Sequence, residues 1–134
     1  MRIIQYLYSC LYFLKASETG FLPYHTDQGQ QDLKQGIIRT VGDPKERFSE
    51  DYLRIIRAVR FSAKLNFHIE HNTQQAMIKE AKNLSKISFE RIKDELNMVL
   101  KYKPYYTFKM IDTLDIWDIL KNMGLNFQLT NAII

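Results

Sequence analysis

The spacing of apolar residues changes near residue 43. Before it, the pattern is of strand and turn type. Ile4, Tyr6, Tyr8 and Tyr12 share one parity inside the apolar run Ile3 to Leu14, as in a buried strand. Gly20, after Glu18 and Thr19, reads as a hairpin turn. Ile37 to Val41 reads as a short strand closed by Gly42, Asp43 and Pro44. After residue 44 the period is helical. Ser49 is suited to cap a first helix, with Glu50 and Asp51 where the helix dipole favours negative charge. Leu53, Ile56, Val59 and Ala63 form its buried stripe, and Asn66 ends it. Residues 67–70 read as an extended link. Asn72 or Thr73 caps a second helix through about Lys82, with Ala76, Met77 and Ala81 inward. Ser88 caps a third, with Ile92, Leu96, Val99 and Leu100 as its stripe. Lys103-Pro104 breaks that helix, because proline cannot continue the amide ladder. Two short helices, 105–114 and 116–123, follow, with Gly124 as C-cap. The expectation is a mainly α chain: a helical neck and body segment behind a short β-hairpin remnant of an α+β head.

Composition adds bounds. At 46% hydrophobic and 25% charged, the 134 residues are ordinary globular sequence, which argues against a disordered or fibrous chain. The length suits one modest domain and is short for a self-contained multi-substrate enzyme. The single cysteine, Cys10, excludes an intrachain disulfide and a cysteine-cluster zinc site, and a reducing cytoplasm is the simpler assumption. Behind Arg2, Ile3 to Leu14 has the look of a weak signal segment. It contains Gln5 and Ser9, is too short to span a bilayer, and meets Lys15 without a small-x-small cleavage site. A core strand fits it better, and no membrane partner is expected.

The formal charge of +4 is local. Between Tyr52 and Phe67 stand Arg54, Arg57, Arg60 and Lys64 and no acid; without them the chain has 15 basic and 15 acidic residues. Arginines every third residue make a ridge beside the apolar stripe of a helix, with Asp51 one turn ahead of Arg54. A carboxylate beside a guanidinium offers acceptors and a rigid donor fork, which suits the edge of a base; further arginines suit phosphates. The plain alternative is a solvated helix face with one i, i+3 ion pair, worth tenths of a kcal/mol.

The residues themselves add a resemblance. Ile38 to Pro44, followed by Arg47-Phe48-Ser49-Glu50-Asp51-Tyr52-Leu53-Arg54-Ile55-Ile56-Arg57-Ala58-Val59-Arg60-Phe61, resembles the class II tRNA nucleotidyltransferase and bacterial poly(A) polymerase family, through its E-D-x-x-R-x-x-R-x-x-R-F pattern. Upstream, Gly29 to Leu33 is similar to the family's G-x-x-D-L element. Downstream, Ser88-Phe89-Glu90-Arg91-Ile92-Lys93-Asp94-Glu95-Leu96 is similar to S-x-E-R-I-x-x-E-L. The resemblance runs from about Gly29 to Leu100. It implies that Asp51 and Arg54 read the Watson–Crick edge of CTP or ATP. It also implies that Arg57, near them, and Arg60 complete the nucleotide pocket, with Arg60 bracing the helix or the phosphates. Asp32 would lie in the joint between head and neck. Glu50, Glu90 and Arg91 would be structural, the last two steadying the neck. By the same resemblance, residues 1–44 correspond to head, 45–101 to a neck that selects nucleotide and binds RNA, and 102–134 to the start of a helical body.

Family chemistry is a two-metal in-line displacement, which needs close carboxylates to hold Mg²⁺ over the triphosphate. The family supplies them as a D-x-D pair, and no D-x-D occurs in this sequence. The R-R-D-x-T-I-N-x-L motif should stand before the first hairpin, where Ile3 to Phe13 lacks both arginines and the aspartate. The expectation is therefore a truncated, split or decayed copy that has no catalytic residues or metal ligands and transfers nothing alone. The family reaction would be CCA addition to tRNA 3′ ends or poly(A) addition, with ATP or CTP as substrate and a tRNA or RNA 3′ end as partner. The alternatives are one half of a split enzyme, partnered by a separate catalytic head chain, and a non-catalytic RNA-binding helical module.

Other groupings read as structural. Asp112, Asp115 and Asp118 suit a solvated face. His68 and Glu70 point one way in an extended link and His71 the other, so three ligands do not converge. Tyr102, Tyr105, Tyr106 and Phe108 interleave with Lys101, Lys103 and Lys109; helix core and rim is the commoner meaning, and stacking on RNA bases the rarer one.

Overall fold

The computed structural model describes residues 31–124 except 33 and 41. The early strand, the Gly20 hairpin and the segment after Gly124 lie outside the described residues. So do Leu33 and Val41.

Asp32 lies in a helical stretch, is buried, and accepts a bond from Arg39 Nε at 3.0 Å. Gly36, at φ +70°, turns the chain into β1 (Ile37–Ile38). A Cβ there would stand 3.4 Å from the Phe67 ring, so glycine meets both the dihedral and the close approach. The predicted strand is thus present but shorter. Its partner is β2 (His68–Ile69), the segment expected to be a plain link. The pairing is parallel, with Ile37 opposite His68 and Ile38 opposite Ile69. His68 N donates to Gly36 O at 2.8 Å and Glu70 N to Ile38 O at 2.9 Å.

Between these strands stand two helices where one was expected. Helix α1 is Pro44–Glu50 and α2 is Arg54–Leu65. The cap of the first is Asp43, whose carboxylate accepts from Lys45 N at 3.3 Å, and Pro44 sits in the first turn, where its missing N–H costs nothing. The helix therefore starts before Ser49. Ser49 lies inside it, and its hydroxyl donates back to Glu46 O at 2.8 Å instead of capping. Asp51 breaks the ladder with extended backbone (φ −157°, ψ 105°), and its Oδ1 accepts from Leu53 N at 3.1 Å, closing an Asx-type turn.

Helix α2 is the centre of the fold. Its predicted stripe is buried, and so are Ile55, Ala58, Phe61 and Ser62. It is covered on several sides: α4 (Phe89–Tyr102), α5 (Pro104–Leu114) and both strands lie against it. Asn66 ends it in the left-handed conformation (φ 58°). Helix α3 (His71–Glu80) packs on α1. Its cap is Glu70, not Asn72 or Thr73. The longer carboxylate accepts from Asn72 N at 3.0 Å and from Thr73 N at 2.8 Å, and Thr73 Oγ1 also donates to it. The chain tightens into a 3-10 helix over Ala81–Lys86, where the second helix was expected to run out. Ser88 does stand at the cap of α4, though its side chain makes no capping bond.

Helices α5 and α6 (Trp117–Asn122) close the described chain, joined through Asp115 at φ 55°. Gly124 follows the last helix at φ +89°, a position that needs glycine's freedom. Phe48, Phe61, Met77, Leu84, Ile92, Val99 and Leu120 share one core. Each such side chain contributes about 1.5–3 kcal/mol on leaving water. The described residues are mainly α with one small sheet.

Candidate functional site

The arginine ridge is present on α2, but its charges are already answered. Arg54 is turned inward: its side chain is 6% exposed, and Nη1 donates to Glu50 Oε2 at 2.7 Å and to Arg47 O at 2.9 Å. Glu50 also accepts from Arg47 at 2.7 Å. The break at Asp51 explains this exchange of partners. It takes the aspartate off the helix, so Arg54 pairs with the carboxylate four residues back. The expected Asp51–Arg54 side-chain pair is absent; the two residues are joined by backbone, Arg54 N donating to Asp51 O at 3.1 Å. Asp51 Oδ2 instead accepts from Arg91 Nη2, on α4, at 2.8 Å. Asp51 is partly exposed, so its carboxylate combines a fixed orientation with access to solvent.

Arg57 and Arg60 converge on one acid, Glu95 of α4. Arg57 Nε donates to Oε1 at 3.0 Å. Arg60 Nε stands 3.1 Å from Oε2, an ion pair whose N–H does not point along the line to the oxygen. Glu95 is buried. A buried carboxylate is costly unless paired, and two guanidiniums supply the pairing. Arg60 also lies 4.9 Å from the Phe61 ring centroid. Arg57 was expected near Asp51 and Arg54, but its observed side-chain partner is Glu95.

The remaining expected residues separate. Asp32 pairs with Arg39, whose Nη1 is 3.7 Å from Glu70 Oε1. Arg39 thus links the stretch before β1 to the cap of α3. Glu90 is exposed in the first turn of α4. Sequence reasoning missed Glu95, Arg47 and Arg39. For Glu95 a signal existed: it sits among Ile92, Leu96 and Val99, and an acid inside an apolar stripe needs a cation from elsewhere.

Among the described residues, two groups have shifted pKa values. Burial raises the Glu70 pKa, but bonds from the Thr73 and Asn72 amides and the Thr73 hydroxyl, with the charge of Arg39, outweigh it and leave it lowered. Burial raises that of Tyr106, while its bond with Ser62 works the other way. Tyr102 and Tyr105 stand out from the surface; Tyr106 bonds Ser62 Oγ at 2.6 Å, and Phe108 stacks on Trp117. Core and rim thus describes half of that aromatic cluster. Asp112, Asp115 and Asp118 are exposed, and Asp112 accepts from the Trp117 indole. Among the described residues no three His, Cys, Asp or Glu side chains gather into one cluster. Nor is any described helix long and apolar enough to cross a membrane.

Residues 66–123 match the family model described as "Probable RNA and SrmB-binding site of polymerase A". The chain is similar to a CCA-adding enzyme of Leuconostoc mesenteroides, 51% identical over 72 residues, covering 54% of this chain and 18% of that protein. A CCA-adding enzyme of Staphylococcus saprophyticus is 39% identical over 115 residues, covering 78% of this chain and 28% of its own length. One from Ligilactobacillus salivarius is 55% identical over 64 residues, covering 48% and 16%. The matched stretch is thus less than a third of each of these relatives.

Proposed function

Because the chain belongs, over the stretch it shares with them, to the family of CCA-adding enzymes and bacterial poly(A) polymerases, we propose that it is the nucleotide-selecting neck of a template-independent RNA nucleotidyltransferase. Residues 45–101 form that neck, 1–44 a remnant of the head, and 102–134 the beginning of the body. The substrates are CTP or ATP and the 3′ end of a tRNA or another RNA, and the compartment is the cytoplasm or an organellar matrix.

The observation that supports this reading best is the set of ion pairs around α2. Glu50 fixes Arg54, Arg91 fixes Asp51, and Glu95 fixes Arg57 and Arg60. Long side chains lose rotamer freedom when they bind a ligand, and pairs made in advance reduce that cost. Asp51 then presents a carboxylate of fixed plane at a turn. A carboxylate accepts from the exocyclic amine that cytosine and adenine both carry and that uracil and guanine do not present at that position. Charge on Arg57 and Arg60, although shared with Glu95, remains a net positive field for a triphosphate. Mg²⁺, where the family chemistry operates, would stabilise charge on the transferred phosphoryl group; these described residues would bind and orient the nucleotide.

Titration with CTP, ATP, UTP and GTP tests the assignment. CTP and ATP should bind in preference to UTP and GTP, and Asp51→Asn should remove the preference. Equal affinity for all four, unchanged in Asp51→Asn, would refute it. The isolated chain should not extend a tRNA transcript with labelled ATP and Mg²⁺. Extension would show that it carries a catalytic centre of its own.

A further inference from the structure

A cleft of about 370 Å³ opens at the other end of α2 from Asp51. A helix of 12 residues is about 18 Å long, so one mononucleotide does not reach both. Ala63, Phe67, Ile69 and Met110 supply apolar surface. Around them stand Asn66, His68, Gln74, Lys103, Lys109 and Thr113, and no lining residue is acidic. The volume is near the lower end of the range for small-molecule sites, enough for about one nucleotide.

The polar groups of the cleft are held in place. Lys103 Nζ donates to Asn66 Oδ1 at 2.7 Å, which fixes its charge at the rim between α4 and α5. The Tyr106 hydroxyl is tied to Ser62 Oγ, and Ser62 Oγ donates to Phe67 O at 2.6 Å, so the ring is locked in the wall. Lys109 is exposed, six residues along from Lys103. Cations at a rim over an apolar and aromatic floor are the components of a seat for an unstacked base with its phosphate.

We propose that this cleft seats one unstacked nucleotide of a single-stranded RNA, with Lys103 and Lys109 on the flanking phosphates and the base against Phe67 and Tyr106. The inference rests on the RNA-binding part of the preceding reading and gives that RNA a place on this chain, separate from Asp51. Ten of the twelve lining residues lie in 66–123, and the other two, Ser62 and Ala63, belong to α2. A duplex keeps its bases stacked and cannot offer one to the cleft, which is why the occupant is a single strand.

Fluorescence anisotropy with a short fluorescein-labelled single-stranded RNA, across a salt series, tests it. Lys109→Gln should weaken binding about threefold to tenfold and reduce the slope of log K against log salt by about 0.7, the value for one phosphate of a single strand. Thr113→Trp fills the cleft without altering charge. It should weaken binding about tenfold with the slope unchanged. Both positions are exposed on α5, and an unchanged far-UV spectrum verifies the fold. If the wild-type chain binds RNA but neither substitution moves affinity or slope, the cleft assignment falls and the RNA-binding reading stands. If blunt duplex RNA binds as well as single strand, the base seat is wrong. If no RNA binds at low salt while CTP still does, the RNA-binding reading falls with it.

Discussion

Glu95 offers the sharpest test of the framework around α2. Its carboxylate is 9% exposed at the side chain and faces Arg57, 32% exposed, and Arg60, 18% exposed. Replacing it with glutamine keeps the volume, removes the charge and turns an amide N–H₂ toward one guanidinium. Removing one partner of a fully buried ion pair costs about 3–5 kcal/mol. Both arginines retain some water, so the value for Glu95→Gln is discounted to about 2 kcal/mol, and Glu95→Ala adds about 1 kcal/mol for lost packing. At about 4 °C per kcal/mol for a chain of this size, Glu95→Gln should lower Tm by about 8 °C. Urea unfolding followed by circular dichroism should show a lower midpoint with unchanged m. The combined replacement Arg57→Met, Arg60→Met, Glu95→Leu removes all three charges and should recover stability to within about 1 kcal/mol of wild type. A Glu95→Gln chain within about 0.5 kcal/mol of wild type would refute the reasoning. So would a triple variant no better than Glu95→Gln.

Two further outcomes follow from the helix caps. Glu70 is bound by its donors only in the fold, so its folded pKa lies below its unfolded value. That contribution is fully present above the unfolded value and is lost as pH falls through the folded one. Glu70→Gln should therefore cost about 1 kcal/mol at pH 7, with the difference from wild type shrinking in urea midpoints taken at progressively lower acid pH. The relocated cap of α1 predicts that Asp43→Ala destabilises by about 1 kcal/mol, whereas Ser49→Ala stays within about 0.5 kcal/mol by the same measurement. The reverse order would restore Ser49 as the cap.

Much of the helical architecture was legible because it rests on period and proline. The stripe on α2, the break at Lys103-Pro104 and the two short helices that follow all depend on local pattern. Caps were less legible. Ser49 has a capping side chain, but Asp43-Pro44 starts a helix six residues earlier and absorbs it. Thr73 has one too, but it is buried as a donor to Glu70. The pairing of β1 with β2 is non-local, and nothing in a short extended stretch reveals its partner. At the site, the motif marked Asp51, Arg54, Arg57 and Arg60 but not their partners. A single break in the backbone reassigns the aspartate to Arg91, 40 residues on, and leaves Arg54 with Glu50. Side-chain partners across helices depend on packing, which helical spacing alone does not encode.

The parallel pairing of two-residue strands has a kinetic consequence. Ile37 and His68 are 31 positions apart, and the bonds from His68 N and Glu70 N hold the two ends of that loop together. Both α1 and α2 lie inside it. Such a closure carries the entropy cost of a long loop, offset mainly by the burial of Ile38, so it forms after the helices it encloses. Its two strand-end bonds are correspondingly expected to open before the middle of α2 does. Amide exchange at His68 and Glu70 would then run faster than at Ile56 or Val59 in the middle of α2.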